Sequence, residues 1–111
     1  VPDFKAVYLA LFHLDSISGH ASRLAYAEAG LAYCRQDYAT AIEKLVLALE
    51  AEPRFVAAYV LLGLAHEGQG ELDQARQNLE KALAIEPENF LAQHVLGRIS
   101  AERGAEAGPE P

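Results

Sequence analysis

The chain has little of several things that usually direct a sequence reading. Its 111 residues include one cysteine, no methionine and no tryptophan. A lone thiol, Cys34, precludes an intrachain disulfide, and its place beside Tyr33 reads as that of a small packing residue. The longest apolar run, Ala6 to Phe12, is far short of the roughly 20 residues a membrane-spanning helix needs. Lysine and arginine form no cluster and the net charge is −7, which argues against phosphate backbones and anionic lipid surfaces as partners. No phosphate-binding glycine loop, nucleophile elbow or catalytic triad is present. The four histidines, His13, His20, His66 and His94, lack metal-ligand spacing, so no metal, no cofactor and no enzyme are expected. The chain begins Val-Pro-Asp, which reads as a piece of a longer protein, so a missing targeting segment carries no information.

What the sequence does have is alanine and leucine at helical spacing, with few β-branched residues. It also has a period. Ala41 and Ala75, Leu45 and Leu79, Ala48 and Ala82, and Gly63 and Gly97 all repeat the interval that separates Pro53 from Pro87. Apolar residues recur at three- and four-residue steps between these marks, predicting paired helices. First helices are expected over 23–35, 55–67 and 90–103, and second helices over 38–51 and 72–85. Pro53 and Pro87 end the second helices, because proline lacks an amide proton and pushes its predecessor out of the helical region. Asp37 is placed to cap one second helix, and Gly68-Gln69-Gly70 supplies a flexible turn.

The first hairpin aligns with the second through Gly30 and Gly63 only if one residue is missing. These glycines are one position closer than the period, so the expectation is a tighter first turn that lacks the glycine before its second helix. Gly30, Gly63 and Gly97 then fall mid-helix, where glycine costs about 1 kcal/mol relative to alanine. That cost is expected to permit close approach by the alanine ridges Ala41/Ala48 and Ala75/Ala82. Tyr26, Tyr33 and Leu45 would fill the gaps in one hairpin, and Tyr59, Leu62 and Leu79 in the next.

The segment "AYVLLGLAHEGQGELDQARQNLEKALAIEPEN" resembles a tetratricopeptide repeat, with its aromatic, Leu-Gly, turn glycine, two alanines and closing proline in register. Tyr59 stands where that family favours tryptophan and His66 where it favours tyrosine. The resemblance implies an all-α right-handed superhelix of stacked antiparallel helix pairs, an α-solenoid. Two units, 23–55 and 56–89, are expected, followed by 90–103 as the first helix of a partial third unit. Residues 1–22 are read as an N-terminal packing helix and linker, with Asp3 as its cap, Phe4, Val7, Tyr8 and Leu11 as a stripe, and Ser16 to Ser22 as the connection. Residues 104–111, rich in glycine, proline and acid, are expected to be disordered.

In such a superhelix the first helices line a concave face, which in the resembled family usually binds peptide segments of other proteins. Carrying the groove positions across gives Leu31 and Arg35 (with Leu24, Ala27, Glu28 and Cys34) in the first unit. It gives Val60, Leu61, Leu64 and Glu67 (with Ala57) in the second, and Leu91, His94, Val95 and Arg98 in the third helix. One subclass grips a C-terminal carboxylate with lysine, asparagine and arginine. The matching positions here, Ala27, Leu31, Leu61, Leu91 and Val95, offer no donor. The expected activity is therefore a protein-interaction module, part of a larger scaffold or adaptor, that takes a peptide or helix of a protein partner in an apolar groove. The alternative is a self-associating module forming homo-oligomers through the N-terminal helix or the groove. Neither nucleic acid nor membrane insertion is expected.

Overall fold

The computed structural model describes the backbone of residues 4–107 and the side chains of residues 19–102. Asp3, the expected cap, and the side chains of Phe4, Val7, Tyr8 and Leu11 lie outside the described residues. Five helices follow one another: α1 (Phe4–Cys34), α2 (Tyr38–Ala51), α3 (Val56–Gly68), α4 (Leu72–Ile85) and α5 (Phe90–Ala107). Helix α1 packs on α2, α3 on α4, and α3 also lies against α2, while α5 closes onto α4. The result is an all-α stack of antiparallel pairs.

The period is written into the backbone. The Glu52 amide donates to the Ala48 carbonyl at the end of α2, and the Glu86 amide to the Ala82 carbonyl at the end of α4, both at 2.9 Å. The next turns repeat as well: Phe55 N–H to Glu52 O and Asn89 N–H to Glu86 O, both 3.1 Å. Side chains keep the same step. The Tyr59 hydroxyl donates to the Pro53 carbonyl (3.1 Å), and one period on, the Gln93 amide donates to the Pro87 carbonyl (2.8 Å). Between the helices of each pair sit matched buried ridges, Ala41, Leu45 and Ala48 on α2 and Ala75, Leu79 and Ala82 on α4. A fully buried leucine contributes roughly 1.5–3 kcal/mol relative to an exposed one, so Leu45 and Leu79 anchor their hairpins.

The first turn departs from expectation: nothing is missing from it. Gln36 takes φ 62° and Gly70, one period later, φ 79°. Their hydrogen bonds also match: Gln36 N–H to Tyr33 O and Gly70 N–H to Glu67 O, then Asp37 N–H to Ala32 O and Glu71 N–H to His66 O, all 2.9 Å. A left-handed residue after the helix satisfies its last carbonyls, and glutamine fills that role where glycine does in the second hairpin. Keeping one period throughout makes Ala29, not Gly30, the counterpart of Gly63. It also sets Tyr26 against Val60 and Tyr33 against Glu67.

This register corrects the reading of the glycines. A Cβ built on Gly63 would lie 2.8 Å from Leu79 Cγ and 3.2 Å from the Ala75 carbonyl, so α3 and α4 do approach closely there. Gly30 and Gly97 have nothing within 4 Å. The former points off the α2 contact, and the latter would face a second helix that α5 lacks among the described residues. Gly68 is more than a flexible residue, since a Cβ there would meet the Tyr38 ring at 2.5 Å.

Two boundaries also move. Ser16 to Ser22, expected as a connection, are helical, and α1 runs unbroken for 31 residues. The segment contains no proline. The Ser22 hydroxyl, fully buried, is satisfied within the helix by donating to the Gly19 carbonyl at 2.9 Å. At the other end Gly104 to Ala107 continue α5 as helix, and the remaining four positions of the expected tail lie outside the described residues.

Candidate functional site

The concave side is built by α1, α3 and α5. Val60, Leu61 and Leu64 rise from α3, and Tyr26 of α1 and Leu91 of α5 close in from either side. With Ala57 and Asn89 they line an open, mainly apolar pocket of about 150 Å³. Each wall has a local cause. Tyr26 is held by its ring contact with Phe55, centroids 5.1 Å apart, at the joint between the hairpins. Asn89 caps α5, accepting from the Ala92 amide at 2.9 Å, which fixes the helix start that carries Leu91.

One end of the groove is polar. Arg98 of α5 reaches across to Glu67 of α3, with Nε 3.2 Å from Oε2 and Nη2 on Oε1. The two-point contact suits the planar guanidinium, and the Glu67 side chain is largely buried under it. The hydrogen bond to Glu67 is the main reason that Arg98 is held even more firmly protonated than usual. Tyr33 of α1 stands beside this pair. Burial first, then the neighbouring Tyr38 and the Glu67 charge, push its phenol above the ordinary value. The ion pair thus ties the second unit to the third helix.

Of the residues expected in the groove, Val60, Leu61, Leu64 and Leu91 come together, and Glu67 and Arg98 form its polar end. His94 is exposed with its ring stacked on Phe90, centroids 6.4 Å apart and planes 10° from parallel. Val95 is not a groove residue: it is buried in the core beside Leu79, Ala82 and Ile99. Leu31 and Arg35 are not on the pocket either. Leu31 is 60% exposed on another side of α1, and Arg35 is exposed in the turn. Cys34, read as a packing residue, is exposed. The misplacement of Leu31 follows from the residue assumed to be missing from the first turn, which shifts the α1 register by one. The groove residues that went unrecognised, Tyr26 and Asn89, were within reach. Tyr26 lies one period before Val60, and Asn89 occupies a helix-capping position.

The same register puts Tyr26 and Gly30 where Ala27 and Leu31 were expected among the carboxylate-gripping positions. None of Tyr26, Gly30, Leu61, Leu91 and Val95 is a cation. Among the described residues no group of three metal-ligating side chains comes together, and no helix is long and apolar enough to cross a membrane.

Helical hairpins stacked at a fixed period, with first helices lining a concave face, define an α-solenoid repeat protein. Residues 56–89 match the tetratricopeptide repeat family. The whole fold agrees with solved domains of that kind. The first such domain of Spaghetti (RPAP3), bound to the HSP90 peptide SRMEEVD, superposes with a TM-score of 0.72. It is 26% identical, over 75% of this chain and 66% of that one. The second such domain of human RPAP3, in complex with the HSP70 peptide SGPTIEEVD, gives 0.69 and 26% identity, over 71% of this chain and 66% of that one. Residues 56–89 thus form a tetratricopeptide repeat, and the fold around them is that of tetratricopeptide-repeat domains. Among curated proteins, anaphase-promoting complex subunit 3 of Dictyostelium discoideum is 38% identical over 61 residues, 55% of this chain and 6% of that protein. The chain spans between 6% and 15% of the length of the curated relatives it matches.

Proposed function

We propose that this chain is a non-catalytic protein-interaction module that holds an apolar or amphipathic segment of a partner protein across α1, α3 and α5. The observation that carries this reading is the apolar pocket walled by Tyr26, Val60, Leu61, Leu64 and Leu91. A groove of this kind gains affinity by removing apolar side chains of the peptide from water, at about 25 cal/mol per Å² buried. The RPAP3 domains, bound to chaperone peptides, support the choice of a peptide as ligand. The present groove offers leucine, valine and tyrosine, with its one crossing cation already paired to Glu67. The partner is therefore recognised by its side chains and not by its terminal carboxylate.

Fluorescence polarisation with a library of labelled twelve-residue amphipathic peptides tests this, with SRMEEVD as a contrast, each carrying a free or an amidated C-terminus. Peptides with apolar anchors are expected to bind regardless of amidation. Leu64→Glu with Leu91→Glu should weaken them at least about tenfold, the scale of removing one interface anchor. Both side chains are at least partly exposed, so circular dichroism should be unchanged. Binding that needs the free carboxylate, or that survives the double substitution, would refute the reading.

A further inference from the structure

The polar end of the groove already holds a carboxylate. Arg98 turns one edge of its guanidinium, Nε and Nη2, to the two oxygens of Glu67. That is the fork on which a guanidinium receives any carboxylate, from its own chain or from a ligand. The Glu67 side chain is 14% exposed and that of Arg98 45%, so the acid is largely buried while the cation stays open to water. The pair adjoins the apolar pocket. Glu67 follows Leu64, part of the pocket wall, by three residues, roughly 4.5 Å along α3.

The repeat does not call for an acid at this position. Its counterpart in the first unit is Tyr33, a phenol at the same turn of α1. Glu67 also lies in the last turn of α3, where a carboxylate stands against the helix dipole. A second acid, Glu102 of α5, lies 4.0 Å from Arg98 Nε, the looser contact of a neighbour one turn along the same helix.

Resting on the peptide-binding reading above, we propose that Glu67 sets the specificity of the groove: it is an internal carboxylate that occupies Arg98 and turns away peptides bringing a carboxylate of their own to that end. Two effects act together. A group fixed on the same chain competes at an effective concentration of about millimolar or more, far above that of a dilute peptide. An incoming carboxylate also meets the charges of Glu67 and Glu102, so its approach is opposed as well as unrewarded. The groove then selects segments with apolar anchors and no acid at the Glu67–Arg98 end.

Fluorescence polarisation tests this with labelled amphipathic peptides that differ only beyond their last apolar anchor. One form is amidated with glutamine there, one is amidated with glutamate, and one ends there in a free carboxylate, so the two sources of the charge are read apart. The unsubstituted chain should bind the neutral form at least as tightly as the other two. Glu67→Ala should bind a carboxylate form at least about tenfold more tightly than the neutral one. Adding Glu102→Gln, which keeps that acid from taking the vacated guanidinium, should preserve the gain, and adding Arg98→Ala should abolish it. Glu67→Gln, which keeps the shape of the side chain, should show a smaller gain in the same direction. A helix α5 merely loosened by the loss of the pair would weaken all forms alike. No gain in any of the Glu67 variants, or a gain that survives Arg98→Ala, would overturn the proposal. The peptide-binding reading fails separately, if the unsubstituted chain binds no amphipathic peptide. Glu67→Ala is then read with SRMEEVD, and an equal response to its free and amidated forms would overturn the proposal as well.

Discussion

In the second hairpin α3 meets α4 through Gly63, pressed on Leu79 and the Ala75 carbonyl, whereas the first hairpin places Ala29 at the same point against Leu45. The turns invert this economy. There the second hairpin uses glycine at its left-handed residue, and the first uses Gln36. Two hairpins with the same backbone thus distribute their small residues differently. The lesson is that the period fixes where the chain must bend and touch, and several side chains can meet each requirement.

The sharpest break of this comparison is Gly63→Ala. Its Cβ would collide with a buried leucine and a backbone carbonyl, so about 1–3 kcal/mol of stability should be lost in a denaturant melt. Gly30→Ala, one residue past the counterpart position and with nothing within 4 Å, should instead stabilise by up to about 1 kcal/mol. Equal effects at the two sites would show that the first hairpin is aligned on its glycine after all. Next in size is the turn: Gly70→Ala should cost about 1 kcal/mol, and Gln36→Gly should recover a similar amount, both read as shifts of the urea midpoint. The smallest contrast is at the caps. Asp37 accepts from the Thr40 amide at 3.3 Å, so Asp37→Ala should cost about 0.5 kcal/mol. Glu71, whose carboxylate lies 3.2 Å from His66 Nδ1 and makes no cap bond, should cost the α4 start nothing when replaced by alanine.

Most of the fold was legible because its signals are local. Proline ends two helices, Asp37 caps one, and the alanine and leucine ridges of α2 and α4 repeat at a constant interval. The bounds of both second helices follow directly. The α1 register was not legible, since Gly30 offered a plausible partner for Gly63 and a deletion in a loop is usually cheap. Only the backbone shows that Gln36 already occupies the left-handed position. The groove suffered from that single slip. Its α3 and α5 walls were found as Val60, Leu61, Leu64 and Leu91, while its α1 wall was assigned to Leu31 and Arg35 instead of Tyr26. The extent of α1 was hidden too, because Ser-Ile-Ser-Gly-His reads as a linker by composition and nothing in the segment forbids a helix.

The paired contacts to proline carbonyls have a mechanical consequence. Tyr59 and Gln93 each fasten a first helix to the residue that ended the helix before it. Each joint between successive units thus carries one exposed donor on a proline carbonyl, added to the apolar packing that joins the same helices. A ligand that straightened the superhelix would have to break these bonds together with the apolar packing at each joint.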